Sequence, residues 1–190
     1  MSIGSIVTLV GAAVLLSYVA LIYNGLVQLK HNMAQAWANI DVLLKQRYDE
    51  VPKLVTLCKE YMRHEAEVLE RVILARRQAQ AARSGGNLDR LSDAETALQK
   101  GLGSLFAVAE AYPDLKADRS FNHLRDRISA LENTIADRRE FYNESVNRNN
   151  VRIEQFPDVL IARWFRFKHG KLLKFAAEET RDLNLKALFD

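Results

Sequence analysis

The residue types best able to carry out chemistry in this sequence are four histidines and one cysteine. A carboxylate-bridged metal in a helical protein requires Glu-x-x-His pairs on facing helices. None of the residues three positions before the histidines is acidic: they are Gln28, Tyr61, Ser120 and Arg166. His64-Glu65 begins like a zinc-protease motif, but Val68 occupies the position of the second histidine. The sequence therefore predicts no metal site and no cofactor.

The cysteine and the only glycine pair also argue against catalysis. Cys58 falls on an apolar helical seam, where a free cysteine is usually a small buried hydrophobe and its thiolate is disfavoured. A lone cysteine forms no intrachain disulfide, which fits a reducing compartment. Ser84-Gly85-Gly86 is typical of a turn. We expect a protein that is not an enzyme and has no catalytic residues; an enzyme of unknown type is the least favoured alternative.

The composition favours long helices. The chain of 190 residues contains only eight glycines and three prolines, which argues against a loop-rich or all-β protein. The formal net charge is +3, with most basic residues interleaved among acidic ones, so we expect no nucleic-acid partner.

The N-terminal stretch has the composition of a membrane anchor. No side chain from Met1 to Leu29 is charged, and Lys30 is the first that is. About 20 apolar residues with a rise of about 1.5 Å each cross the hydrocarbon layer. Tyr18 and Tyr23 stand near the end of the stretch, as interfacial aromatic residues do. We predict a retained anchor over residues 1–29 with the lipid bilayer as a partner, and not a cleaved signal peptide, because no basic flank precedes the apolar run.

The basic residues predict the orientation of this anchor. None precedes the span, whereas Lys30, Lys45 and Arg47 follow it. Positive charges favour the cytoplasmic side. We therefore expect a single-pass protein of the bacterial cytoplasmic (inner) membrane, with the N-terminus outside and the remaining helices in the cytoplasm.

Apolar residues spaced alternately by three and four predict long helices after the anchor. The first is predicted to continue from the membrane exit to about Arg83, before the turn at residues 84–87. Pro52 falls inside this pattern and is a hinge candidate: it either kinks the helix or opens a new first turn.

Two further helices complete the pattern. One is predicted from Leu88 to Tyr112, where Pro113 ends it. The other begins near Asp118 or Ser120, both good N-caps. Gly101 and Gly103 in the first of these are expected to permit close approach of a neighbouring helix. The predicted fold class is all-α: a single transmembrane helix that continues into an antiparallel four-helix bundle with long helices.

Polar and small residues on these seams predict self-association. Arg138 and Asn149 fall on the seam of the last long helix, where polar residues often set register or oligomeric state. Small residues within a membrane span permit helix–helix contact. The candidate interface residues are Gly4, Gly11, Trp37, Arg138 and Asn149.

The composition shifts after Pro157, where apolar and aromatic residues alternate with basic ones and no acidic residue stands between Asp158 and Glu178. This pattern is typical of an interfacial amphipathic helix on anionic lipid. Gly170 could hinge this helix. The alternative is a fourth bundle helix whose apolar side closes the core; it is favoured for Val159–Phe165, whereas both interpretations stay open for Phe167–Phe175. The candidate membrane-surface residues are Arg163, Trp164, Arg166, Phe167, Lys168, Lys171 and Lys174.

Helix length limits where this basic segment can lie. If the first helix were straight to Arg83, it would extend about 80 Å beyond the membrane. The basic segment would then lie far from the anchor's own bilayer unless the helix bends at Pro52, and it would contact another membrane, another subunit or a partner protein.

Three ordered blocks of residues resemble the LemA family. The first includes Ala36–Lys45 and Pro52–Val55; the second is Val108–Pro113; the third includes Arg138-Arg139, Tyr142-Asn143 and Phe156-Pro157. Asn149 departs from the family's repeated Tyr-Asn pattern. The resemblance implies an N-terminally anchored four-helix bundle in bacterial membranes, and relatives are associated with organelle-membrane formation in magnetotactic bacteria.

We therefore divide the chain into an anchor at 1–29, a LemA-like helical bundle at 30–165 and a basic, amphipathic C-terminal extension at 166–190. The predicted function is that of a non-enzymatic, single-pass membrane scaffold or adaptor that self-associates into a homo-oligomer and presents a cytoplasmic helical bundle of coiled-coil type. Other membrane proteins are further candidate partners. The alternative is a membrane-remodelling or tethering module that acts through the basic–aromatic segment.

Overall fold

A computed structural model describes residues 2–174, and every regular element within them is a helix. The helices are α1 (Ile3–Tyr61), α2 (Ala66–Ser84), α3 (Leu88–Ala109), α4 (Pro113–Ala117), α5 (Arg119–Glu154) and α6 (Asp158–Trp164). The prediction of an all-helical protein with a long apolar N-terminal helix is confirmed. The part of the predicted C-terminal extension at residues 175–190 lies outside the described residues.

The first half of α1 is long and apolar enough to cross a membrane. Its large side chains are exposed, Ile3, Val10 and Leu16 among them. The hydroxyls of Thr8 and Ser17 donate to the backbone carbonyls four residues earlier, so these polar groups are satisfied within the helix. The helix continues past Lys30 without interruption, as the absence of Gly and Pro between residues 26 and 51 predicts.

The predicted extension of the first helix to Arg83 is wrong. The helix ends at Tyr61, and α2 begins at Ala66. The intervening residues contain neither Gly nor Pro, so the sequence carries no ordinary signal for a break there. Met62 in this connection is fully buried, and the burial of its apolar side chain stabilises the turn.

Side chains from elsewhere in the chain stabilise this turn. The hydroxyl of Tyr61 donates to Asp118 (2.9 Å), and Glu65 accepts from the hydroxyl of Tyr112 (3.1 Å). The hydrogen bond to Asp118 raises the pKa of Tyr61. Because these partners are about 50 positions away, the break is a product of tertiary contact.

Beyond the turn, α2 lies alongside α1 in the opposite direction. Arg83, near the end of α2, pairs with Asp41 through two contacts (2.5 and 2.6 Å). Arg76, two turns earlier, donates to the backbone carbonyl of Tyr48 (3.0 Å). The Arg83 guanidinium donates to the carboxylate of Asp41 and thereby lowers the pKa of that carboxyl group.

Pro52 lies inside α1, so the alternative in which it opens a new helix is wrong. Its carbonyl accepts from the hydroxyl of Thr56 (2.8 Å), and helical structure extends on both sides. The role of Pro52 as a hinge stays a prediction.

The helix starts follow the capping residues. Asn87 accepts from the backbone N–H groups of Asp89 and Arg90 and caps α3. Asp118 accepts from Ser120 N (2.7 Å) and Phe121 N (3.1 Å), which confirms the predicted start of α5.

The described residues form two compact units, to which α1 and α5 each contribute. The first unit comprises residues 2–39 and 138–172, and the second comprises 40–137 and 173–174. The second unit has the larger core, whose fully buried members include Leu44, Leu54, Leu98, Leu102, Leu105 and Phe121. Cys58 belongs to this core, and burial raises the pKa of its thiol to about 11. It is therefore a packing residue.

Gly101 shows the close approach that the sequence predicted, because a Cβ there would lie 3.5 Å from Val72 of α2. Gly103 does not, since nothing lies within 4 Å of its added Cβ. Gly86, between α2 and α3, has a φ of 66°.

Two glycine-to-alanine variants should therefore shift stability in opposite directions. Gly103→Ala should raise the free energy of unfolding by up to about 1 kcal/mol, because alanine is the better residue in an exposed helix interior. Gly86→Ala should lower it, because an L side chain is strained at positive φ. Thermal unfolding of the full chain in detergent measures both; a decrease for Gly103→Ala would contradict the open space seen around it.

Candidate membrane-surface site

The site in the first unit begins with the turn between α5 and α6. Pro157 follows the end of α5, and Asp158 opens α6 as a buried carboxylate paired with Arg152. An acidic residue in a first turn is favoured by the helix dipole. The short helix is thereby fixed close to the end of α5.

The inner face of α6 packs on the anchor helix. Ile22 and Leu26 of α1 form an apolar cluster with Ile153 of α5 and Ala162 of α6. Ile161 and Phe167 partly cover it. Ile22 is the last residue of the apolar stretch, so α6 lies at the end of the predicted span.

Aromatic rings extend this contact. The ring of Tyr23 lies 4.7 Å from that of Phe165 and 5.9 Å from that of Phe167, between ring centroids. Tilted and edge-on arrangements at these distances are favourable for aromatic pairs. The basic–aromatic segment is thus held by Tyr23, which stands near the end of the predicted anchor.

The separation expected between this segment and the anchor depends on a first helix that continues to Arg83, and that prediction is wrong because α1 ends at Tyr61. Within the first unit the segment contacts the anchor end of α1. The contacts of the segment lie at residues 22–33 of α1, before Pro52, so no bend at that proline is needed.

The outer face of the turn and α6 is apolar and exposed. Phe156 is 81% exposed, Leu160 59% and Trp164 83%, and they follow one another at intervals of four. Arg163 is exposed beside them. A row of large apolar side chains next to a basic residue is typical of helices that lie in a membrane interface.

The end of α6 has a Schellman geometry. Phe167 N donates to Ala162 O (2.9 Å) and Arg166 N to Arg163 O (3.2 Å), while Arg166 has a φ of 56°. Glycine is the usual residue at this position, and a side chain there costs about 1 kcal/mol. Arg166 therefore stands where local stability favours glycine.

After α6 the chain runs along α5 without helical structure as far as residue 174. Asn150 bonds twice to Gly170, accepting from its N–H (2.8 Å) and donating to its carbonyl (3.0 Å). Tyr142 donates to the carbonyl of Lys171 (3.0 Å), and the amide of Asn149 lies 3.4 Å from the carbonyl of Lys168. The expectation of a helix over residues 167–174 is wrong, because backbone groups that a helix would use internally are bound by α5 instead.

Gly170 is a packing position within this segment. A Cβ there would lie 2.5 Å from the Met33 sulfur and 3.1 Å from a methyl group of Val146. No larger residue fits without displacing these neighbours, so the glycine reflects close approach and not free rotation.

The membrane-surface candidates separate into three groups. Arg163, Trp164, Arg166 and Lys168 are exposed near the anchor, and Phe167 is half-buried against it. Lys171 is exposed, with its carbonyl bound by Tyr142. Lys174 belongs to the second unit, where its carbonyl accepts from Ser92 (2.7 Å) and its ammonium lies 3.7 Å from Asp89.

The interface candidates also differ in environment. Gly4 and Gly11 lie on the exposed surface of α1. Trp37 is half-buried, with its ring 5.8 Å from that of Tyr142. Arg138 is exposed, whereas Asn149 is buried, so the two do not share a buried seam. Asn149 and Asn150 instead position the segment after α6.

The second unit contains a buried polar cluster that the sequence analysis did not find. Arg47 of α1 pairs with Glu95 of α3, which also accepts from the hydroxyl of Tyr48. Glu132 of α5 lies 3.7 Å from the guanidinium of Arg47. Burial raises the pKa of Glu132, against the effect of nearby Arg47. Burial also raises the pKa of Tyr48 to about 12.

A signal for this cluster was present in the sequence. Residues 47 and 48 interrupt the apolar pattern of α1, and Glu95 interrupts that of α3. Polar slots of opposite charge on two core-facing helices indicate a buried pair, since a buried charge requires a partner.

The histidines do not converge. Among residues 2–174, no three His, Cys, Asp or Glu side chains are placed to hold a metal ion. His31, His64 and His123 are exposed on separate helices or turns, and His169 pairs with Glu154 (2.7 Å).

The fold and this site define a membrane-associated helical protein. The model of the LemA family matches residues 36–186, and the chain belongs to that family. Magnetosome proteins MamQ 1 and MamQ 2 of Paramagnetospirillum magneticum (strain ATCC 700264 / AMB-1) are each 23% identical to it over 172 residues, 78% of this chain and 63% of theirs. Magnetosome protein MamQ of Magnetospirillum gryphiswaldense (strain DSM 6361 / JCM 21280 / NBRC 15271 / MSR-1) is 24% identical over 169 residues, 77% of this chain and 62% of its own length. The chain thus spans less than two thirds of the length of these relatives.

Breaking the buried pair should destabilise the second unit strongly. Glu95→Gln removes the carboxylate paired with the buried Arg47 guanidinium, leaves Glu132 at 3.7 Å as an acidic neighbour, and should lower the free energy of unfolding by about 3 kcal/mol. Glu144→Gln is the matched control: Glu144 pairs with Arg148 at 2.5 Å on an exposed face, where loss should cost less than about 1 kcal/mol. Denaturant unfolding in detergent measures both, and equal effects would show that the buried pair has no special weight.

Proposed function

We propose that this protein is a non-enzymatic, single-pass scaffold whose soluble helices are seated on the surface of the membrane that holds its anchor. The observation that carries the proposal is the contact of Phe165 and Phe167 with Tyr23 at the end of the apolar stretch. This contact joins the basic–aromatic segment to the membrane exit within one compact unit.

The exposed side chains of α6 support an interfacial position. Burying Leu160 and Trp164 in the headgroup region removes apolar surface from water, at roughly 25 cal/mol per Å². Arg163, Arg166 and Lys168 each contribute about 1 kcal/mol near an anionic surface. These residues favour engagement of the anchor's own bilayer over tethering of a second membrane.

The predicted antiparallel four-helix bundle belongs to this proposal, with α1, α2, α3 and α5 as its members. Partner order in the second unit supports opposed directions for α1 and α5. Arg47 lies near Glu132, whereas Glu50, further along α1, pairs with Arg127, earlier in α5 (3.0 Å). Such a bundle would present a rigid helical surface to other proteins.

The same basic residues support the proposed topology. Lys30 follows the span, and Arg163, Arg166 and Lys168 lie in the unit that contains its end. Positive charge close to a membrane helix favours retention on the cytoplasmic side. The N-terminus would then be outside a bacterial cytoplasmic membrane.

Self-association through the anchor is supported by its small residues. Nothing lies within 4 Å of a Cβ added at Gly11, so this face of α1 is open to another helix. Small residues on a membrane span let two backbones approach closely. A homo-oligomer would bring several α6 surfaces onto one patch of membrane, and such clustering could shape that membrane. Because the relatives are magnetosome proteins, an organelle membrane is one place where this shaping could occur.

The depth of Trp164 in a bilayer tests whether α6 lies at the membrane surface. Trp37→Phe leaves Trp164 as the only tryptophan in the full chain. Reconstituted in bilayers, it should be quenched more strongly by lipids brominated near the headgroup than by lipids brominated deep in the chain, because indole prefers the interface.

Trp164→Phe provides the control. It leaves Trp37, which lies 14 positions after Tyr23, about 21 Å further along a straight helix, and should escape both labels. Quenching of Trp164 by aqueous iodide to the extent seen for a free tryptophan analogue would show that α6 does not touch lipid.

Cross-linking in native membranes tests self-association. The wild type should give dimers or larger species, and Gly11→Leu should reduce them by separating the helix backbones. Gly25→Leu is the matched control, since nothing lies within 4 Å of its added Cβ either, and it is not a predicted interface residue. Only monomers at cellular expression levels would refute the oligomeric scaffold.

A further inference from the structure

A groove of about 500 Å³ lies beside the membrane exit, within the first unit. One wall is the stretch of α1 that includes Tyr23, Lys30 and Met33, and the other is residues 165–169, with Asn149 of α5 at the contact between them. The proposed position of α6 at the membrane surface does not require such a groove, because the exposed face of α6 is separate from the groove.

The groove is basic. Its lining includes Lys30, His31, Arg166, Lys168 and His169, and among residues 2–174 it contains no aspartate or glutamate. Within the same described part of the chain, the one carboxylate paired with a lining residue is Glu154, which contacts His169. Three side chains with a permanent positive charge are thus grouped around one opening, an arrangement that attracts an anion.

The groove also has an apolar part. Tyr23, Val27, Met33, Phe165 and Phe167 line it, and Tyr23 adjoins the apolar stretch of the anchor. Lys30 lies seven positions beyond Tyr23, about 10 Å along the helix, so the basic part of the groove and its apolar part are separated along α1. A ligand that fits both parts has an anionic group at one end and hydrocarbon at the other.

Arg166 gives an independent indication of a ligand. Its φ of 56° places it at the position of the Schellman turn where glycine is favoured. The fold would be more stable with glycine there, yet the residue is an arginine, and it lines the groove. Guanidinium binds phosphate through paired N–H groups.

We infer that this groove binds the phosphate headgroup of an anionic phospholipid, with an acyl chain along the Tyr23–Phe167 wall. This inference rests on the proposed seat of the protein at the membrane surface and goes beyond it. A general attraction to anionic lipid depends only on net charge, whereas a bound headgroup depends on the residues of the groove.

Arg166→Gly tests the inference because it separates binding from folding. The full chain in detergent is titrated with phosphatidylglycerol and with phosphatidylcholine, and bound lipid is counted by native mass spectrometry. The wild type should retain one phosphatidylglycerol in preference to phosphatidylcholine. Arg166→Gly should melt at the same or a higher temperature, yet bind phosphatidylglycerol about tenfold more weakly, the effect of one lost charge-assisted hydrogen bond.

Arg163→Gln is the matched control, since it removes one exposed charge three residues away and Arg163 does not line the groove. It should leave the affinity within about threefold of wild type. Arg166→Lys, which keeps the charge but lacks the paired N–H groups, should bind phosphatidylglycerol with an affinity between those of the wild type and Arg166→Gly. Equal losses for Arg163→Gln and Arg166→Gly, or no preference for phosphatidylglycerol in the wild type, would overturn the headgroup site.

Two additional arms separate the alternatives. Inorganic phosphate and glycerol phosphate at millimolar concentration should not displace the lipid; displacement would assign the groove to a soluble phosphate and overturn the inference. If Trp164 lies at the membrane interface but the groove shows no preference for phosphatidylglycerol, the headgroup site is refuted and the proposed function is not.

Discussion

The apolar contact between Ile22 and Leu26 of the anchor helix and Ile153 and Ala162 is the interaction on which the rest of the first unit depends. It closes a loop of well over one hundred residues and returns the chain to the C-terminal end of the predicted anchor. The cost of such closure grows only slowly with loop length, so a small, well-packed cluster can hold it. Every feature of the membrane-surface site follows from this return.

The segment after α6 illustrates how a polar chain is fixed without secondary structure. Its backbone groups are bound by Tyr142 and Asn150, and Gly170 fits against Met33 and Val146 because it has no side chain. A buried backbone requires hydrogen-bond partners. Since α5 supplies them, the segment keeps its basic side chains exposed while its main chain is held against the unit.

The second unit contains charged side chains inside its helical core. Arg47 and Glu95 are buried together, with Tyr48 as a further donor. Buried pairs of this type contribute little net stability compared with an apolar packing, but they permit few alternative registers. The pair therefore favours one arrangement of α1 and α3.

The sequence by itself determined the local and compositional features. The uncharged stretch to Leu29 predicts a long apolar helix. Asp118 caps α5 because its carboxylate accepts from the backbone N–H groups of Ser120 and Phe121 in the first turn. The tertiary structure decided the rest. The break after Tyr61 has no Gly or Pro signal and depends on Asp118 and Tyr112, which are remote in sequence. The contact of Phe165 and Phe167 with Tyr23, near the end of the predicted anchor, is also a product of tertiary structure, because residues so remote in sequence are not related by spacing along one helix.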